Sequence, residues 1–224
     1  MGGKVLLIIA ASLLVLLSFA SEKSHGATDE GYSRNSLPHD GVELVDIQDV
    51  NRHIFIDIRY ATKDNFTRKK LYDSNTCLLR KSSASKLDSV QKELEKAHLG
   101  LKVWDCYRPL SVQKEFWKIM PDDRYVANPY KGGSRHNRGS AVDLTLVDGQ
   151  GKELPMPTSF DDFTPKAHQE YPDLPAEVIK NRALLRETMK KAGFIPLADE
   201  WWHYDDENWK EFDLLDMPFS GIDR

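Results

Sequence analysis

An aspartate set in the middle of a strand constrains this chain more than any other feature. Residues 140–147, SAVDLTLV, alternate so that Val142, Leu144 and Leu146 share one face and Asp143 takes the other. A carboxylate at a central strand position costs free energy unless it is paired or bound, so the fold must bring a positive partner to it. Seven residues upstream stands His136, and Gly139 between them permits the tight turn through which a loop histidine and a strand carboxylate converge. A hydrolytic zinc ion takes three nitrogen or oxygen ligands and keeps one position open for water; His136 and Asp143 supply two of the three.

The stretch DEWWHYDD, residues 199–206, offers the third ligand, His203, among large aromatic side chains able to wall a site from bulk water. Glu200, three residues earlier, is the candidate general base, taking a proton from the attacking water and passing it to the leaving amine. Positions i and i+3 of a regular strand point to opposite faces, so Glu200 and His203 share a site only if a loop or bulge intervenes at Glu200. Arg108, in WDCYRP, is the candidate oxyanion stabiliser, since a guanidinium keeps its charge and presents several donors. Each has a plainer rival: Glu200 as an exposed carboxylate, Arg108 as a corner fastener paired with Asp105. No H-E-x-x-H, G-x-S-x-G or phosphate-binding glycine loop is present, which argues against the common zincin, serine hydrolase and nucleotide readings.

The hydrophobic pattern supplies the frame. HIFIDIRYA (53–61) alternates as a strand. Leu87, Val90, Leu94 and Ala97 recur at helical spacing, with serines suited to cap the start and Gly100 the end. LKVWDCYRPL reads as a strand stopped at Pro109, then a short helix capped by Ser111. PAEVIKNRALLRETMKKAGF (175–194) reads as a second long helix closed by Gly193, and EWWHYD (200–205) as a final strand. Strands and helices do not alternate as in a βαβ series, so the expected class is α+β: a single domain with a mainly antiparallel central sheet flanked by helices. With 224 residues and a net charge of −4 spread without like-charge blocks, the chain suits one core and a small-molecule partner, with no footprint for nucleic acid. No protein partner is inferred.

Residues 1–20 have a short basic start at Lys4, an apolar run from Val5 to Leu17 and small residues at Ser18 and Ala20, the form of a secretory signal cleaved after Ala20. Residues 21–38 are polar and read as a flexible leader, with the folded domain over 39–224. The expected address is across the inner membrane, in the periplasm, without stable membrane association after cleavage; an uncleaved anchor is the competing reading. Cys77 and Cys106 would then lie where disulfides persist. Spacing does not decide whether they meet, and the reading leans towards Cys106 as a buried free thiol.

SRHNRGSAVDLTL resembles the S-x-H-x-x-G-x-A-x-D motif of the zinc D-alanyl-D-alanine dipeptidases, and EWWH their E-x-W-H motif; WDCYRP and FDDF (160–163) fall in the same order. The resemblance implies the D-Ala-D-Ala metallopeptidase fold, shared in outline with Hedgehog-like domains. It also implies one Zn2+ held by His136, Asp143 and His203, with Glu200 as acid/base and Arg108 as transition-state stabiliser. A small closed cavity for a free dipeptide follows, with Asp161 receiving the ammonium and Ser134 beside the substrate; Asp162 is the alternative to Asp161. Cys106 departs from the small residue expected there. Cleavage of longer wall peptides by a D,D-carboxypeptidase or endopeptidase is the alternative activity, and a non-catalytic zinc-containing binding domain a more distant one.

Overall fold

The computed structural model describes Gly2 and residues 43–221. Apart from Gly2, the signal, its cleavage site and the leader expected over 1–38 lie outside the described residues. The strands are β1 (Leu44–Asp46), β2 (Phe55–Ile56), β3 (Leu78–Arg80), β4 (Leu99–Asp105), β5 (Ala141–Asp148), β6 (Phe194–Pro196) and β7 (His203–Asp206). The helices are α1 (Ile47–Val50), α2 (Lys81–Glu95), α3 (Leu110–Ile119) and α4 (Ala176–Lys191). β2, β4, β5, β7 and β6 form a five-stranded sheet in that order, and β1 with β3 a separate two-stranded ladder. Only β2–β4 is parallel in the larger sheet, so the expected α+β class with a mainly antiparallel sheet is what forms.

The sheet owes its centre to β5, whose residues Ala141 to Val147 are all buried. Val142, Leu144 and Leu146 enter one core with Leu87, Val90 and Leu94 of α2 and Leu185 and Met189 of α4. Burying such side chains contributes roughly 1.5–3 kcal/mol each. The opposite face of β5 carries Asp143, which opens on a cavity lined by loops, aromatic rings and Phe116 of α3. Trp201 and Trp202 are both fully buried, and they pack edge to face on each other.

Several local expectations change. The strand expected over 53–61 shrinks to β2, because the Ile58 N–H donates to the Asn75 Oδ1 at 3.0 Å and residues 59–61 turn into a 3₁₀ helix. Helix α2 begins at Lys81 without a side-chain cap, so its serines are not the caps. It also stops before Gly100: His98 takes the left-handed turn at φ 58°, and Gly100 lies inside β4. The missing side chain leaves room for Gln91, whose Oε1 accepts from the Leu101 N–H at 2.9 Å. Pro109, not Ser111, precedes α3, and the Ser111 N–H is taken by Asp216. Strand β7 starts at His203 rather than Glu200.

The leaning towards a free Cys106 is corrected outright. Cys77 and Cys106 form a disulfide, with Cα atoms 5.3 Å apart. The two residues are distant in sequence but adjacent across a backbone bond in which the Tyr107 N–H donates to the Leu78 carbonyl at 2.9 Å. Closing a loop of that 29-residue separation contributes roughly 3–4 kcal/mol in the chain-entropy view.

Candidate metal centre

The site is assembled from a turn and two paired strands. A short 3₁₀ helix, Arg135–Arg138, carries His136; Ser134 caps it, its Oγ accepting from the His136 N–H at 3.3 Å. Gly139 ends the turn at φ 68°, and a Cβ there would be strained and would push the Leu44 side chain aside, so the position favours glycine. The chain then enters β5, where Asp143 stands directly opposite His203 of β7.

His136 Nε2, an Asp143 carboxylate oxygen and His203 Nδ1 lie within 4.8 Å of one another, all three residues buried. The two nitrogens are 3.2 Å apart; His203 Nδ1 is 2.9 Å from Asp143 Oδ1 and His136 Nε2 is 3.4 Å from Asp143 Oδ2. Ligands at about 2.0–2.1 Å from a tetrahedral zinc sit about 3.3 Å apart, so the spacing suits zinc.

The outer nitrogens decide the matter chemically. His136 Nδ1 faces the Cys106 carbonyl at 2.7 Å, and His203 Nε2 faces Asp205 Oδ1 at 2.9 Å. Both partners are acceptors, so in the neutral rings these nitrogens carry the hydrogens, and two lone pairs are left pointing at each other. Such an arrangement is repulsive unless a metal ion stands between them or one ring takes up a proton, as Asp143 and Asp205 favour for His203. Acceptors behind the rings fix tautomer and orientation in metal sites generally. Burial alone would raise the Asp143 pKa, but the facing histidines hold its carboxyl well below the usual range.

Glu200 lies in the turn before β7, which satisfies the condition that a loop intervene: its Oε2 is 3.9 Å from His203 Nδ1. Burial pushes its carboxyl up to about 8, opposed by His203 and reinforced by Asp143. Arg108 is both things the sequence allowed. It lines the cavity, and Asp105 Oδ2 accepts from its Nε at 3.1 Å and its Nη2 at 2.6 Å, while Gln113 takes Nη1 at 2.7 Å. Burial would lower its pKa, yet Asp105 keeps it charged.

Asp161, not Asp162, lines the cavity; Asp162 caps Thr164 instead. Asp161 accepts from the Tyr60 hydroxyl at 3.0 Å and the Phe66 N–H at 3.1 Å, and burial raises its carboxyl to about 7 against those bonds. Its backbone takes φ 59°, a left-handed conformation that non-glycine residues adopt at a cost. The cavity measures about 90 Å³, and it gathers Arg108, Ser134, His136, Asp143, Asp161, Glu200 and His203, every residue expected at the site. A larger cavity of about 430 Å³ lies on the other side of Asp161 and Phe66, which line both, but it holds none of the metal ligands.

Residues 40–220 match the family model described as D-Ala-D-Ala dipeptidase, Peptidase M15. The chain belongs to the D-Ala-D-Ala dipeptidase family. It is 35% identical over 181 residues to a D-alanyl-D-alanine dipeptidase of Escherichia coli, covering 81% of this chain and 93% of that one. A D-alanyl-D-alanine dipeptidase of Enterococcus faecalis is 33% identical over 183 residues, 73% of this chain and 87% of the relative. Among solved structures, a vancomycin-resistance D,D-dipeptidase in complex with a phosphinate analogue overlaps at TM-score 0.38 and 18% identity, over 74% of this chain and 66% of that one, too loosely to argue from. Membership makes this chain a zinc metallopeptidase, and the His136–Asp143–His203 set is where its ion fits.

The sequence reading missed the groups that hold this machinery in place. Asp205 could have been found, since i and i+2 share a strand face and place it on the side of His203. The Cys106 carbonyl, Gln113, Tyr60 and the Phe66 N–H left no such signal; they arrive from turns and from the start of α3.

Proposed function

We infer that this chain is a zinc-dependent dipeptidase that hydrolyses free D-Ala-D-Ala to D-alanine. The observation that carries the reading is the grouping, in one small cavity, of a three-ligand metal set, a buried glutamate beside it and a carboxylate across from it. His136, Asp143 and His203 would hold Zn2+, which when bound supplies a Lewis acid to polarise the scissile carbonyl and acidify the attacking water. Glu200, with its carboxylate 3.9 Å from His203 Nδ1, takes the proton from that water and gives it to the leaving amine. Arg108, clamped by Asp105 and Gln113, offers its charge to the oxyanion without reorganising. Asp161 receives the substrate ammonium. That pairing removes the cost of a buried carboxylate and ties turnover to a free N-terminus. Ser134, buried and lining the cavity at the start of the His136 turn, would stand beside the substrate.

The chain is further proposed to work outside the cytoplasm, in turnover of wall-derived dipeptide. The signal-like residues 1–20 support that address, and so does the Cys77–Cys106 bridge, since disulfides persist mainly in oxidising compartments. Among the described residues no helix is long and apolar enough to cross a membrane.

The test is alanine release from D-Ala-D-Ala, L-Ala-L-Ala and N-acetyl-D-Ala-D-Ala, with chelator and with zinc restored. Zinc-dependent cleavage of the first alone is expected. Efficient cleavage of the acetylated peptide would replace the free-ammonium model with a carboxypeptidase, and no cleavage by folded, zinc-loaded protein would overturn the enzyme reading.

A further inference from the structure

The bond between Cys77 and Cys106 ends on a residue wired to the metal centre. The Cys106 carbonyl accepts from His136 Nδ1 at 2.7 Å, the bond that turns His136 Nε2 towards the ion. Its N–H donates at 2.9 Å to Asp105 Oδ1, and the other oxygen of Asp105 grips Arg108. Tyr72 completes the cluster, its hydroxyl donating to Asp105 Oδ1 at 2.7 Å. Two residues on, the Arg108 N–H donates to the His136 carbonyl at 3.0 Å.

Residues 106–109 belong to neither β4 nor α3, so the Cys106–Tyr107 peptide has no run of ladder bonds, only the single bond from the Tyr107 N–H to the Leu78 carbonyl. The Cys106 side chain adds a covalent tether beside it. Its sulfur is bonded to Cys77, which is itself fully buried and anchored where the Ile47 N–H donates to the Cys77 carbonyl at 3.0 Å.

We propose that Cys106, through its bond to Cys77, is a positioning residue for the metal centre. Oxidised, the pair holds the carbonyl that orients His136 and the amide that orients Asp105. Reduced, that peptide keeps its hydrogen bond to Leu78 but loses its covalent tether to Cys77, its orientation loosens, and zinc affinity falls. The cross-link then does more than stabilise: it reserves full metal binding for protein that has matured in an oxidising compartment. The inference rests on reading His136, Asp143 and His203 as zinc ligands.

The test measures zinc dissociation constants on the full chain by competition with a chromophoric chelator, alongside melting of the metal-free protein. Oxidised wild type is compared with wild type reduced by a water-soluble phosphine, which does not depend on a zinc-chelating dithiol. In that reaction the S–S bond takes up two electrons and two protons and the phosphine takes oxygen from water. Cys77→Ser/Cys106→Ser is the matched variant; Cys77→Ala/Cys106→Ala takes its place if serine at these buried positions prevents folding. Leu185→Val, in the core beneath α4 and away from the site, controls for lowered stability alone.

Reduced protein and double variant are expected to bind zinc about 10–100-fold more weakly, as when other groups behind a metal ligand are removed. The Leu185→Val control should melt lower yet bind zinc normally. Zinc affinity within twofold of oxidised wild type in the folded, reduced protein would overturn the proposal and leave a simple stabilising cross-link. If oxidised wild type takes up no zinc, the reading of the metal site falls instead.

Discussion

Glu200 is the residue on which chemistry and stability pull in opposite directions. Glu200→Gln should lower kcat by about 10²–10⁴-fold while zinc stays bound, checked by steady-state kinetics beside metal analysis; loss of metal would make Glu200 a ligand rather than an acid/base. The same substitution should change the metal-free protein's response to pH. Burial raises the Glu200 carboxyl from 4.5 to about 8, so between those values the folded state binds more protons than the unfolded one. Stability therefore falls as pH rises through that window. Urea unfolding of metal-free protein should show Glu200→Gln more stable than wild type at pH 8, with the difference gone at pH 4. Asp161→Asn should raise KM for the free dipeptide and narrow the preference over its acetylated form, since the group receiving the ammonium loses its charge. An unchanged KM would move the ammonium site elsewhere.

The elements that place these residues were legible to different depths. Strand β5 announced itself through alternation, and Asp143 stood out because it broke that pattern. The long helices α2 and α4 were equally plain from their periodicity. Their ends were not: the left-handed residue after α2 is His98, since Gly100 was needed where Gln91 crosses β4. Gly139 is the element-scale prediction. Its φ of 68° and the contact a Cβ would make with Leu44 mean that Gly139→Ala should cost about 1–3 kcal/mol in a denaturant titration. Because Gly139 closes the turn bearing His136, weaker zinc binding should accompany the loss.

At the scale of the whole molecule, the metal would tie the turn and first residues of β5 to the start of β7, with 60 residues separating Asp143 from His203 in sequence. An ion bound only by the folded state stabilises it by mass action, about 4 kcal/mol at a thousandfold excess over its dissociation constant. Chelation should accordingly lower the melting temperature, and the shift should shrink at acid pH. Asp205 and Asp143 hold the His203 pKa well above its usual value despite burial, so protons compete with zinc for that ring.

The sequence by itself singled out the three proposed ligands, because Asp143 in a strand, a histidine behind a glycine turn and E-x-W-H each carry their chemistry in residue type and local spacing. It also determined the class of fold, through hydrophobic periods that act over a few residues. Only the tertiary structure decided that Cys77 and Cys106 are joined, that Arg108 is both clamped by Asp105 and open to the cavity, and that Asp161 rather than Asp162 faces it. Each of those depends on how the chain packs around the cavity and on which side chains that packing turns towards one another, which no local pattern encodes.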